Sequence, residues 1–114
     1  MSQASVFVVT PNLNARALVV AELSEDGFDA LGIESFAELF AELAGGAKPR
    51  VVVLDVALGL NDDKLQAMKT LAPRAEIIVI SGVGGPAVTA NQVLRRPFTI
   101  RDLMSKIKRI AVSS

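Results

Sequence analysis

Three polar side chains follow apolar stretches of the sequence, in an order that suits the chemistry of acyl phosphates. Asp55 and Ser81 each follow an apolar run of four residues, and Arg96 follows the predicted strand 92–95. A carboxylate can attack a phosphoryl group, and a hydroxyl and a cation can then hold the phosphoryl oxygens. The three residues therefore predict a carboxylate that accepts phosphate, with Asp55 as the acceptor.

Each of these residues also has a plainer interpretation. Asp55 could be an ordinary loop residue, Ser81 could cap a turn, and Arg96 could point into solvent. The glycine-rich stretch 82–85 lacks the Gly-Lys-Ser/Thr end of a phosphate loop and the spacing of a dinucleotide motif. We therefore do not expect nucleotide binding at that stretch.

Short apolar runs alternate with helical patterns, and this alternation predicts the elements that position the three residues. The runs at 6–9, 51–54 and 77–80 are fully apolar, as in parallel strands that are buried on both faces. Five β/α units predict an α/β fold with a doubly wound, five-stranded parallel sheet of order 2-1-3-4-5. The helical patterns place Leu18 and Leu71 on buried faces.

The fourth crossover of the predicted fold is short. Eleven residues separate Ile80 from Gln92, and a crossover with its helix needs about 10–12 residues. Several glycines and prolines also lie in this stretch. We therefore expect a shortened or missing fourth helix.

Composition excludes several classes of site. The 114 residues contain no cysteine and no histidine, and the formal net charge is zero. Disulfides, thiolate or imidazole metal sites and a Ser/His/Asp triad cannot be built. The chain predicts a single domain over residues 1–114 with no membrane segment and no signal peptide, and hence a cytoplasmic protein.

Charge is unevenly distributed along the chain. Residues 22–42 carry seven acids and no base, whereas residues 95–109 carry six bases and one acid. These segments are either solvated helix faces that neutralise each other or a surface for a partner protein. With so few aromatic residues and no net charge, nucleic acid is not an expected partner.

The order and spacing of the motifs resemble those of the receiver (CheY-like) domains of response regulators. The matching stretches are 6–9, 12–28, 53–55, 80–82, 96–98 and 99–103. The resemblance implies a flavodoxin-like fold, with Asp55 in the place of the phosphorylated aspartate. It also implies that Ser81 and Arg96 contact the phosphoryl group, and that the bond between Arg96 and Pro97 is cis.

The chain departs from the receiver pattern at two places. Thr10 and Pro11, followed by Asn12, occupy the positions of the acidic pair that binds Mg²⁺ together with the phospho-acceptor in that family. Magnesium usually requires one or two carboxylates, so we expect weak Mg²⁺ binding, no other metal and no cofactor. Val93 stands at the position of the switch aromatic, and gating by an aromatic side chain there is not available.

These features predict a stand-alone receiver-like regulator in a two-component phosphorelay, with phosphorylation of Asp55 weak or lost. It would not be an enzyme, and it would act by binding a protein: a histidine kinase, a phosphotransferase, a downstream target or a second copy of itself. We further hypothesise that Arg96 reaches Asp55 and holds the site in one state. The alternatives are a fully functional receiver phosphorylated at Asp55 and, more distantly, a flavodoxin-like small-ligand binder or a phosphatase.

Overall fold

The computed structural model describes residues 5–81, 92–95 and 99–112. The elements in chain order are β1 (Ser5–Val9), α1 (Leu13–Glu25), β2 (Asp29–Ile33), α2 (Phe36–Ala44), β3 (Val51–Asp55), a 3-10 turn (Val56–Leu58), α3 (Asp62–Leu71), β4 (Glu76–Ser81), β5 (Gln92–Arg95) and α4 (Ile100–Val112). The label α4 is used for the helix after β5, which the sequence predicts as the helix of the fifth β/α unit. The predicted shortening of the crossover before β5 concerns residues 82–91, which lie outside the described residues.

The five strands form one parallel sheet in the order β2-β1-β3-β4-β5. This confirms the predicted α/β class, the flavodoxin-like strand order and the parallel direction of all strands. The apolar runs at 51–54 and 77–80 lie in the interior of the sheet, where every residue of β3 is buried. Such strands need cover on both faces, and the helices provide it.

The helices divide between the two faces of the sheet as the strand order predicts. On one face, α1 and α4 pack against alternate residues of β1, β3 and β4. On the other face, α2 and α3 cover the intervening residues of the same strands. Successive side chains of a strand point to opposite faces, so each strand contributes to both clusters.

Helix starts are set by side chains that satisfy free backbone N–H groups. The Oγ of Ser35 accepts a hydrogen bond from the backbone of Glu38 at the start of α2. Before α4, Thr99 and Asp102 bond reciprocally: the Asp102 N–H donates to the Thr99 hydroxyl, and the Thr99 N–H donates to the Asp102 carboxylate. Both arrangements follow capping-box patterns in the sequence.

Two leucines that the helical pattern places inward are half exposed. Leu18 is 52% exposed and Leu71 is 46% exposed, so the prediction of buried faces was wrong at these positions. In α1 the contact with the sheet passes through Val19 and Leu23, which leaves Leu18 at the rim. Leu71 is the last residue of α3 and lies beyond Leu65 and Met68, the two residues through which this helix is buried.

No helix in the described part of the chain is long and apolar enough to cross a membrane.

A matched pair of leucine substitutions tests which helix faces support the fold. Leu39 of α2 is fully buried, and Leu13 of α1 is 66% exposed. We expect Leu39→Ala to lower the free energy of unfolding by about 2–5 kcal/mol, because it leaves a cavity. Leu13→Ala should change it by no more than about 0.5 kcal/mol, as surface substitutions do. Urea denaturation followed by circular dichroism measures both, and equal losses would contradict this assignment of the core.

Candidate functional site

The register of β1 on β3 brings the ends of these two strands together. Val9 pairs with Leu54, so the next residues along the two strands, Thr10 and Asp55, are neighbours. Strand alternation puts both side chains on the face that α1 and α4 cover. Each residue is only 4% exposed.

The carboxylate of Asp55 is hydrogen-bonded through both of its oxygens. The Thr10 hydroxyl donates to Oδ2 over 2.9 Å. The backbone N–H of Ala57 donates to Oδ1, also over 2.9 Å, and so begins the 3-10 turn after β3. A buried carboxylate is tolerated only when such donors replace water, and hydrogen bonds to a charged acceptor are the stronger kind.

Thr10 is itself held in place by two neighbours, and a glycine leaves room for one of them. The Arg16 guanidinium donates to the Thr10 carbonyl oxygen over 2.8 Å, and the Asn12 N–H donates to the Thr10 hydroxyl oxygen over 3.2 Å. Gly32 leaves room for the Arg16 stem, because a Cβ at position 32 would lie 2.9 Å from its Cγ. The hydroxyl hydrogen of Thr10 is thus directed at the Asp55 carboxylate.

The other predicted site residues differ in position. Pro11 and Asn12 are exposed, and the Asn12 side-chain oxygen accepts the Ala15 N–H as the N-cap of α1. Ser81 is 2% exposed at the end of β4, one residue beyond Ile80, the partner of Asp55 in the sheet. The structure therefore brings Thr10 to Asp55 and commits Asn12 to the helix.

Two further predictions concern β5 and the residues after it. The backbone of Val93 pairs with Val79 within the sheet. Arg96 and Pro97 lie outside the described residues, and so do the predicted cis bond and the predicted contact between Arg96 and Asp55. The assignment of Ser81 and Arg96 to phosphate contact stays a prediction.

An apolar cavity of about 160 Å³ adjoins this site. Side chains of α1 and α4 line it together with β1, β3 and β4, and its polar lining in the described part of the chain comes from Thr10 and Asp55. Leu18 stands at its edge, half exposed. Asp55 thus lies between a hydrogen-bonding strand end and an apolar space, not in open water.

The oxygen atoms near Asp55 do not fit a magnesium site well. Mg²⁺ requires oxygen donors in octahedral geometry, usually including one or two carboxylates. Asp55 supplies one carboxylate, the Thr10 hydroxyl hydrogen points at that carboxylate, and the Asn12 amide oxygen caps α1. Within the described residues, no three His, Cys, Asp or Glu side chains are grouped so that they could hold a metal ion.

Sequence reasoning missed the roles of Thr10, which donates a hydrogen bond to Asp55, and of Arg16, which positions Thr10. It treated Thr10 only as a missing acid, although a hydroxyl beside a buried carboxylate is a natural donor. It did not single out Arg16, whose role depends on a bond to the backbone that no sequence motif marks.

No family model matches the chain, and no curated protein sequence does either. Solved structures do match it. A receiver domain protein (CheY-like) from Methanospirillum hungatei is 22% identical, with a TM-score of 0.82 over 95% of this chain and 94% of that one. The chemotaxis response regulator CheY4 of Vibrio cholerae is 22% identical, with a TM-score of 0.79 over 96% and 99%.

A longer protein also matches. NtrX from Brucella abortus, solved in complex with ATP, is 26% identical with a TM-score of 0.80; the match covers 96% of this chain but only 26% of NtrX. The chain therefore spans about a quarter of the length of NtrX. The chain has the fold of response-regulator receiver domains.

Removing the Thr10 hydroxyl tests its part in the buried site. Thr10→Val keeps the shape of the side chain but leaves Asp55 Oδ2 without this donor. We expect the free energy of unfolding to fall by about 1.5–3 kcal/mol, as for the loss of other hydrogen bonds to charged groups. The control is Thr70→Val, since the Thr70 hydroxyl bonds to Gln66 on the exposed face of α3. If chemical denaturation gave the same loss of unfolding free energy for both variants, the bond to Asp55 would contribute no more to stability than an exposed hydrogen bond does.

Proposed function

We propose that the protein is a receiver-like module of the response-regulator type that signals by binding other proteins, with phosphorylation of Asp55 weak or lost. The fold of receiver domains supports the first part. The hydrogen bond from Thr10 to Asp55 supports the second, because a neutral hydroxyl donor stands where the resemblance to receivers places an acid. An enzymatic activity is not part of the proposal.

A hydroxyl in place of an acid changes the electrostatics of the site. Two or three carboxylates close together repel one another and favour a divalent cation between them. Here Thr10 donates a hydrogen bond to Asp55 and stabilises its charged form without a metal. Attack on a phosphoryl donor would place the phosphoryl group on an oxygen that already accepts a protein hydrogen bond, from Thr10 or from Ala57.

Surface charge supports a protein partner. The acidic segment 22–42 and the basic last helix are joined by an ion pair from Lys108 Nζ to Asp26 Oδ2 at 2.9 Å. The two segments therefore neutralise each other at that point. Along the rest of α4, Arg101 and Arg109 are exposed, and they leave a basic surface that an acidic partner surface can contact.

A titration with Mg²⁺ and beryllofluoride tests the loss of phosphorylation. Beryllofluoride occupies a phospho-acceptor aspartate only together with a divalent cation, so it reports on both parts of the chemistry. We expect amide shifts near Asp55 to appear only at or above millimolar Mg²⁺. Asp55→Asn is the control that separates binding at this carboxylate from binding elsewhere. Saturable shifts at lower Mg²⁺ that Asp55→Asn abolishes would instead favour a fully functional receiver.

Carboxylates at positions 10 and 11 should form a Mg²⁺ site together with Asp55. We expect the double variant Thr10→Asp/Pro11→Asp to lose stability without Mg²⁺, because its carboxylates repel one another around Asp55. Millimolar Mg²⁺ should raise its Tm and leave that of the unmodified chain unchanged, since a ligand that binds only the native state stabilises it. Thr10→Asn/Pro11→Asn is the uncharged control. A Tm that Mg²⁺ does not change in the acidic variant would contradict the explanation.

A further inference from the structure

A second cleft lies at the end of the sheet where the parallel strands begin, here called the amino edge. Asp55 lies at the opposite end, where the strands finish. It has a volume of about 750 Å³, within the range of about 300–1,000 Å³ typical of small-molecule sites. Six residues of its lining matter here: Lys48, Pro49, Arg50, Leu71, Pro73 and Arg74. They come from the segments before β3 and before β4, together with the end of α3.

The backbone fixes Arg50 at the centre of this edge. Its N–H donates to the Ser5 carbonyl oxygen over 2.8 Å, and its carbonyl oxygen accepts the Glu76 N–H over 2.9 Å. Arg50 thus bridges the first residues of β1 and β4, and the position of its side chain does not depend on a free loop.

The Arg50 guanidinium has unused hydrogen-bonding capacity. One Nη donates to the Ile110 carbonyl oxygen near the end of α4, over a long 3.5 Å. Its Nε is buried and has no hydrogen-bond partner among the residues that the structure describes. A buried N–H without an acceptor is rare in native proteins, and the planar edge of a guanidinium matches the oxygens of a phosphate.

The charged side chains that line the cleft in the described part of the chain are all of one sign. Lys48, Arg50 and Arg74 contribute three cations to the lining, and none of the twelve acidic residues of the sequence belongs to it. All twelve Asp and Glu residues lie within the described residues, so the segments that are not described contain no Asp or Glu. Lys48 and Arg74 are exposed, and within the described residues neither forms an ion pair.

We propose that this cleft binds a small organic polyphosphate, such as a nucleoside diphosphate. Its phosphates would contact Lys48, Arg50 and Arg74, and its organic part would lie against Leu71 and Pro73. Three cations in one lining match the charge of a diphosphate, and a concave cleft of this size suits a small molecule better than it suits the broad surface of a protein. The proposal goes beyond the proposed function and does not depend on it, because Asp55 is at the other edge of the sheet.

The test is a titration of the full chain with ADP, inorganic pyrophosphate and adenosine, followed by amide shifts in NMR and by calorimetry. We expect ADP and pyrophosphate to shift the amides of residues 47–50 and 71–75, with ADP the tighter ligand because its organic part also binds. Adenosine, which has no charge, should cause no saturable shift. Binding should weaken as salt is added.

Charge-reversal variants locate the site. We expect Lys48→Glu and Arg74→Glu each to weaken ADP binding at least about tenfold, as the loss of a charged contact to phosphate implies. Both side chains are exposed, so the fold should survive, and the amide spectrum of each variant checks this. Arg101→Glu is the matched control: it makes the same change of charge on α4, outside the cleft lining, and should leave ADP affinity within about twofold.

Three results would overturn the proposal. The first is no saturable shift with ADP or pyrophosphate. The second is an equal loss of affinity in Arg101→Glu, which would indicate attraction by overall charge and no site. The third is tighter binding of a hexaglutamate peptide than of ADP, which would assign the cleft to an acidic protein segment.

Discussion

The buried carboxylate of Asp55 is the constraint to which the neighbouring segments are adapted. A charge that is 4% exposed must be hydrogen-bonded by the protein, and Thr10 and Ala57 supply the bonds. Thr10 can do so only if the chain after β1 is fixed, and Arg16 fixes it through the Thr10 carbonyl oxygen. Arg16 in turn needs the space that Gly32 leaves in β2. One carboxylate thereby links β1, α1, β2 and the turn after β3.

The parallel sheet makes this link possible. Because the strands are buried on both faces, a shift of register by one residue would exchange the two apolar clusters and expose each to the wrong helices. The helices therefore hold the register, and the register places Thr10 beside Asp55. The site geometry is a consequence of core packing, not of a loop that could rearrange independently.

The sequence was sufficient to predict the fold, but only part of the site. Apolar runs and their alternation with helical patterns are local signals, and they predicted the strands and the strand order. The sequence also placed Asp55 at a strand end. The donor role of Thr10 depends on a register that packing determines, and the basic cleft joins Lys48, Arg50 and Arg74 from separate segments without a common motif. The exposure of Leu18 likewise depends on how α1 sits on the sheet.

The two edges of the sheet balance charge differently, although the chain as a whole is neutral. At the carboxyl edge, the Asp55 carboxylate accepts hydrogen bonds from the Thr10 hydroxyl and the Ala57 N–H. Between the end of α1 and helix α4, the charges of Asp26 and Lys108 neutralise each other in an ion pair. At the amino edge, no acid lines the cleft that contains Lys48, Arg50 and Arg74. Because a cleft with low-dielectric walls concentrates the field of its charges, anions should be attracted to this amino edge of the sheet.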